Sequence, residues 1–272
     1  MTKSITNNSE PSIQDIKPLI QIQQLSLAYK NKPAFQDVTF SIPQNSITAI
    51  VGPSGCGKSS FLTCLNRLSD LIPNCQVSGH IQLGTVNLLS PKVNTTILRR
   101  RIGMIFQKPN PFPMSIKKNI VFPLKEHGFD NAQEREQIVE EVLTDVGLWS
   151  EVKNRLDESA MSLSGGQKQR LCLARALALK PEILLMDEPC SALDPISSGI
   201  VEDLIVRLRH KYNYTIIIVT HNLAQAKRIA DYAGLFWVEE GCGRLIEFGT
   251  ATQFFKEPEH ELTRAYIQGA KG

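Results

Sequence analysis

The stretch Gly52-Pro53-Ser54-Gly55-Cys56-Gly57-Lys58-Ser59-Ser60 decides how this chain is read. Ahead of it, Ser46-Ile47-Thr48-Ala49-Ile50-Val51 has the β-branched make-up of a buried strand. Behind it, Phe61-Leu62-Thr63-Cys64-Leu65 continues as a helix. Strand, glycine-rich turn and helix are the setting in which a phosphate-binding loop works. Glycines let the backbone wrap closely round phosphate oxygens, and the free N–H groups at the helix start point at the anion. Lys58 can reach the β- and γ-phosphates, and the Ser59 hydroxyl can ligand Mg²⁺. The expected ligand is a nucleoside triphosphate.

The 272 residues allow one sizeable domain or two closely joined lobes. A net charge of +3 is too mild to argue for nucleic acid or an acidic lipid surface. No segment approaches the roughly 18 consecutive apolar residues of a membrane span, so direct membrane insertion is not expected. The polar opening residues 1–17 lack the apolar run of a signal peptide and read as a surface tail. None of the six cysteines forms a C-x-x-C pair, and several lie in or beside the nucleotide motifs. The cytosolic side of a membrane, with thiols reduced, is the simplest compartment.

Taken in order, Ile20-Gln21-Ile22 opens a strand that Tyr29 closes, a turn at Asn31-Lys32-Pro33 follows, and Val38-Thr39-Phe40-Ser41-Ile42 is the next strand. Further strands are expected at residues 77–83, 86–88 and 102–106, the last ending at Gln107. Leu98-Arg99-Arg100-Arg101 reads as a solvated helix end beside the phosphate site in preference to a nucleic-acid patch. Three prolines in Lys108-Pro109-Asn110-Pro111-Phe112-Pro113-Met114-Ser115 exclude helix and central strand, leaving an exposed loop. Residues 109–165 form a helical lobe inserted in the core, which resumes at 166–272. Ile183-Leu184-Leu185-Met186 and residues 215–220 are buried strands of a parallel sheet. The tail from Leu235 to Gly249 is a hairpin, with short helices after it. The fold class is α/β: a P-loop core with a small antiparallel β layer and an inserted helical lobe, one domain over 18–272.

Asp187 and Glu188 emerge together at the carboxyl edge of an apolar strand. Asp187 is placed to hold Mg²⁺ and Glu188 to polarise an attacking water. His221, ending another strand, can hydrogen-bond the γ-phosphate, and Gln107 can sense metal or γ-phosphate. Tyr29 can stack on adenine, although a lone tyrosine is more often a core or surface residue. In Leu163-Ser164-Gly165-Gly166-Gln167 the serine can cap a helix whose glycines admit an anion closely. One chain already has a phosphate cradle, so a second such helix start suits nucleotide bound to another copy.

This ordered set resembles the ABC transporter ATPases over about residues 19 to 270. By that resemblance, residues 52–59 are the Walker A loop, Tyr29 the adenine-stacking aromatic and Gln107 the Q-loop. Residues 163–167 are the signature sequence, and 183–187 Walker B, with Glu188 the catalytic glutamate. Ser191-Ala192-Leu193-Asp194 is the D-loop and His221 the switch histidine. The family implies ATP with Mg²⁺, two nucleotides sandwiched between two copies, and membrane-spanning partners moved by the dimer. On this footing the catalytic set is Glu188, His221, Lys58 and Gln107. Ser59, Asp187 and Gln107 hold metal. The nucleotide meets Tyr29, Gly52, Pro53, Ser54, Gly55, Cys56, Gly57, Lys58, Ser59 and Ser60, with Ser164, Gly165, Gly166, Gln167 and Asp194 completing the sandwich.

Within the family the chain is similar to the ATP-binding subunits of bacterial phosphate importers. The points of similarity are Asn66-Arg67 with Asp70-Leu71, the stretch 106–115, Arg170-Leu171-Cys172, Glu247-Phe248-Gly249 and Tyr266-Ile267 with Gly269. That resemblance implies two permease subunits, a phosphate-binding protein beyond them, and a peripheral place on the cytoplasmic face of the inner membrane. It makes Phe112 and Met114 permease contacts, unless their loop packs on its own lobe. Importers of amino acids or other polar solutes, and soluble ABC ATPases outside transport, stay open as alternatives. Cys190 stands where threonine is usual, a non-catalytic position from which only a tuned rate is expected. The run 235–242 is longer than expected for its hairpin and is expected to leave the site intact.

Overall fold

The computed structural model describes residues 18–269; the polar tail 1–17 lies outside them. Apolar alternation through Pro18–Tyr29 (β1) pairs antiparallel with Lys32–Pro43 (β2). Their two-residue turn has Lys30 and Asn31 at φ 48° and 65°, the positive pair that matches hairpin twist. The turn therefore falls one residue before the expected one, and Pro33 lies inside β2. Ile47–Val51 (β3) is buried at every position and leads through the loop into Lys58–Leu65 (α1). Cys75–Leu83 (β4) and Val86–Asn87 (β5) extend the antiparallel side. Thr95–Arg101 (α2), capped by the Asn94 side chain, feeds Ile102–Ile105 (β6).

Helices follow at Ile116–Glu126 (α3), Ala132–Asp145 (α4), Trp149–Val152 (α5) and Gly165–Leu177 (α6). Ile183–Asp187 (β7), Pro195–Tyr212 (α7), Thr215–Thr220 (β8) and Leu223–Ile229 (α8) continue the core. Tyr232–Glu239 (β9), Cys242–Thr250 (β10), Ala251–Lys256 (α9) and Glu261–Ile267 (α10) end it.

The strands form one ten-stranded sheet in the order β5-β4-β1-β2-β10-β9-β3-β8-β7-β6. From β9 to β6 it is parallel, and its middle strands β3 and β8 are buried at every position and mostly apolar, as burial on both faces requires. The antiparallel layer is thus continuous with the core, joined through the Gly243–Phe35 bridge of β10 and β2. The hairpin β9–β10 is no appendix. It supplies the neighbour of β3 and the link between the two halves.

One core lies under α1. Phe35, Phe40, Phe61, Phe236 and Phe248 meet there, with Phe61 5.6 Å from Phe40 and 5.5 Å from Phe236, ring centre to ring centre. Three distant stretches, β2, α1 and β9, are fastened by these rings, and Phe61 is fully buried. The second core packs α3, α4, α6 and α7 against the sheet, so the helices of the lobe share one apolar cluster with the strands.

Two surface expectations change. Arg99 donates to the Asn66 and Arg67 carbonyls, Arg101 forms a two-pronged pair with Glu182, and Arg100 lies 5.6 Å from the Phe129 ring centre. The triplet is structural, because each guanidinium has a partner. The proline-rich loop packs on its own lobe: the Asn119 amide bonds the Phe112 N–H and C=O, and the Phe112 ring sits between Phe122 and Arg175.

Phe61→Ala should cost about 3–5 kcal/mol, since it empties the centre of the aromatic cluster that fastens β2, α1 and β9. Urea unfolding followed by far-ultraviolet circular dichroism measures this.

Candidate active site

The loop after β3 is gripped by backbone on two sides. Gly52 has φ +148°, and a Cβ there would collide with the Phe236 carbonyl; one on Gly243 would collide with the Cys56 carbonyl. Gly57 adopts φ +95° at the start of α1. No side chain fits these approaches, which is why glycine stands at each. Lys58 is only 5% exposed, and its ammonium donates to the Gly52 and Pro53 carbonyls at 2.8 and 2.7 Å. Its charge is thereby held over the loop.

Three strand ends bring polar side chains to this loop, both acids among them from β7. The Ser59 hydroxyl donates to Asp187 Oδ1 at 2.8 Å. Burial pushes the Asp187 carboxyl above the usual carboxylate range, and the neighbouring Glu188 adds to this, while Ser59 and Lys58 pull it back. A hydroxyl beside a partly desolvated carboxylate is a hard-oxygen pair that fits a Mg²⁺ ion. Glu188 lies at φ 45°, a left-handed conformation rare for glutamate, and its N–H is fixed by the Val219 carbonyl at 2.8 Å. Its carboxylate accepts from Gln107 Nε2 at 2.9 Å and from His221 Nδ1 at 3.0 Å. Gln107 follows β6, Glu188 follows β7 and His221 follows β8, so adjacent parallel strands converge on one carboxylate.

These groups open on a cleft of about 690 Å³ lined by Tyr29, Ser54, Gly55, Lys58, Gln107, Glu188 and His221, among others. Tyr29 stands in its wall and donates its hydroxyl to Ser60 Oγ at 3.1 Å. Pro33 and Ala34 of β2 and Val238, Gly241 and Gly243 of the β9–β10 hairpin line the same cleft. The hairpin, expected to leave the site intact, thus also supplies part of its wall. Only the Gly241-Cys242-Gly243 spacing hinted at such a close approach.

The remaining expected site residues do not line the cleft. Ser164 caps α6 through a reciprocal capping box with Gln167, whose amide also donates to Glu151. Ser164 and Gly165 are exposed, and Gly166 faces Ser197 at the start of α7. Asp194 caps α7 by accepting from Ile196 and Ser197, and these hydrogen bonds lower its carboxyl below the usual range. Within one chain, then, the two helix starts stand together but apart from Lys58.

The glycine-fastened loop, the convergent strand ends and the parallel sheet define a P-loop nucleotide-binding protein. The ABC transporter family model matches residues 35–191. The chain belongs to the ABC transporter family. Membership makes it an ATP-hydrolysing transporter ATPase. It is 57% identical over 256 residues to the phosphate import ATP-binding protein PstB 1 of Nitrosococcus oceani, covering 94% of this chain and 92% of that one. It is 50% identical over 254 residues to PstB 2 of Bacillus licheniformis, covering 93% and 90%. The solved structure of cbiO1 from Clostridium perfringens, part of the ABC transporter complex cbiONQ, matches with a TM-score of 0.75 at 26% identity. That match covers 93% of this chain and 99% of that one.

Asp187 is raised by burial, so its ionised form weakens the fold at neutral pH; the effect is absent below the unfolded carboxyl's pKa, grows as pH rises above it and is complete above the folded one. Asp187→Asn should therefore melt a few degrees higher at pH 7 without nucleotide, with the gap narrowing as pH falls. Scanning calorimetry across that range checks it.

Proposed function

We propose that this chain powers the import of inorganic phosphate by hydrolysing ATP in a dimer attached to two membrane-spanning permease subunits. The observation that carries the hydrolytic part is the Glu188 carboxylate, held between Gln107 and His221 at the mouth of the Lys58 loop. Phosphate as cargo is supported by the resemblance to two phosphate import ATP-binding proteins over nine-tenths of the chain. A phosphate-binding protein would deliver to the permease, with this subunit peripheral on the cytoplasmic face of the inner membrane. Residues 109–165 serve as the helical subdomain facing that permease.

ATP enters with adenine against Tyr29 and its phosphates over the backbone N–H groups of residues 52–60. Lys58 turns its ammonium from the loop carbonyls to the β- and γ-phosphates. Ser59, Asp187 and Gln107 would hold Mg²⁺, which neutralises charge building on the phosphate oxygens. Glu188 orients the water and takes its proton as the water oxygen bonds to the γ-phosphorus. The bond to the β-phosphate oxygen breaks, and ADP leaves with that electron pair. His221 keeps the Glu188 carboxylate aimed and contacts the γ-phosphate.

The second copy supplies Ser164, Gly165, Gly166, Gln167 and Asp194. Support comes from the exposure of Ser164, Gly165 and Asp194 away from the chain's own cleft, beside the exposed apolar side chains Met161 and Ile196.

Glu188→Gln should bind ATP normally yet turn it over about a hundredfold more slowly, while Lys58→Ala should lose ATP affinity itself. Equilibrium binding and steady-state hydrolysis separate the two, and normal turnover by Glu188→Gln would remove that residue from its role. Labelled phosphate uptake at low phosphate tests the cargo. In cells whose own copy is replaced by Glu188→Gln, phosphate uptake should fall while amino-acid uptake persists. The opposite pattern would assign another importer.

A further inference from the structure

Behind the Glu188–His221 pair lies a second cavity of about 400 Å³, lined by Cys190, Ser198, Glu202, Thr220, His221 and Arg228 among others. It separates the first turns of α7 and α8. Glu202 of α7 is 7% exposed and Gln225 of α8 is 3% exposed. Gln225 Nε2 donates to Glu202 Oε1 at 3.1 Å, and Arg228 of α8 lies 3.2 Å from Glu202 Oε2. Arg228 also reaches Asp203 at 2.6 Å. A carboxylate this buried is retained only with such partners, because losing them leaves a desolvated charge.

The two helices so joined begin at functional loops. Asp194 caps α7, and Asn222, next to His221, caps α8 by accepting from the Gln225 N–H at 3.0 Å. Gln225 therefore fixes the start of α8 with its backbone and binds α7 with its side chain. On the other side, Ser198 Oγ donates to the Cys190 carbonyl at 3.4 Å, and the Ser191 N–H donates to the Glu188 carbonyl at 3.1 Å. The contacts close a ring from Glu188 through Ser198, Glu202, Gln225 and Asn222 to His221, and from its imidazole back to Glu188.

We infer that Glu202 is a positioning residue that sets His221 against Glu188 by locking α8 to α7. The inference rests on the ATPase reading of the cleft. It also ties the loop carrying Asp194 to the histidine, since both stand at the ends of the same clamp. Cutting the clamp leaves the phosphate loop and the adenine wall untouched, so substrate binding is spared. What is lost is the aim of the imidazole, and misplacement by about 1 Å can cost up to a hundredfold.

Steady-state ATP hydrolysis by the full chain tests this with Glu202→Ala, Glu202→Gln, His221→Ala and the double variant Glu202→Ala/His221→Ala. Glu202→Ala should lower kcat about ten- to a hundredfold with KM for ATP unchanged. Glu202→Gln, which keeps one carbonyl oxygen to accept from Gln225 but gives up the Arg228 ion pair, should recover part of the rate. The double variant should be no slower than His221→Ala alone, because Glu202 acts through the histidine. If Glu202→Ala does not fold, Gln225→Met removes the same hydrogen bond at similar volume and should behave alike against His221→Ala. A native rate in Glu202→Ala, or losses that multiply in the double variant, would overturn the inference while leaving the ATPase reading intact. A native protein without turnover, or a fully active His221→Ala, would overturn both.

Discussion

The structure depends on backbone packed directly against backbone round the phosphate loop. Gly52 lies on the Phe236 carbonyl and Gly243 lies on the Cys56 carbonyl. These two approaches fix the loop between β9 and β10, and they hold only while the hairpin stays next to β3. The aromatic cluster beneath α1 keeps it there, since Phe61 touches rings from β2 and β9 at once. A core of interlocking phenylalanines thus sets the position of a loop made of glycines. Side chains supply the stiffness, and their absence at two positions supplies the fit.

From that frame the chemistry follows by strand order. β6, β7 and β8 lie side by side and parallel, so their carboxyl ends deliver Gln107, Glu188 and His221 to one point. A shuffled order would scatter them. The strained conformation at Glu188, held by Val219, turns its carboxylate across to both neighbours. The helix starts at Ser164 and Asp194 form a second, exposed surface that the chain's own cleft leaves aside.

Much of this was legible in the sequence. β3, β7 and β8 announce themselves as short, mostly apolar runs, and the glycine loop, Asp187, Glu188 and His221 stand at their ends, where ligands of such sheets bind. What was not legible is non-local. Apart from the Gly241-Cys242-Gly243 spacing, nothing in residues 235–249 says that a hairpin near the end of the chain inserts beside β3 and walls the cleft with Val238 and Gly243. The triple arginine looked solvated because its partners, the Asn66 and Arg67 carbonyls and Glu182, are remote in sequence. Phe112 looked free for the same reason: Phe122 and Arg175 cover it only once the lobe has formed. Glu202, one of two neighbouring acids on α7, gave no signal until α8 was laid against it.

The central claim is that one chain holds half of each site and two chains close over ATP. The most direct measurement is the solution mass of the Glu188→Gln protein by light scattering, with and without saturating ATP and Mg²⁺. A mass doubling that requires ATP and is lost when Gly165 is replaced by a bulky acidic residue is the expected result. A protein that stays monomeric with ATP bound, while the native chain hydrolyses at a rate per chain independent of concentration, would contradict it.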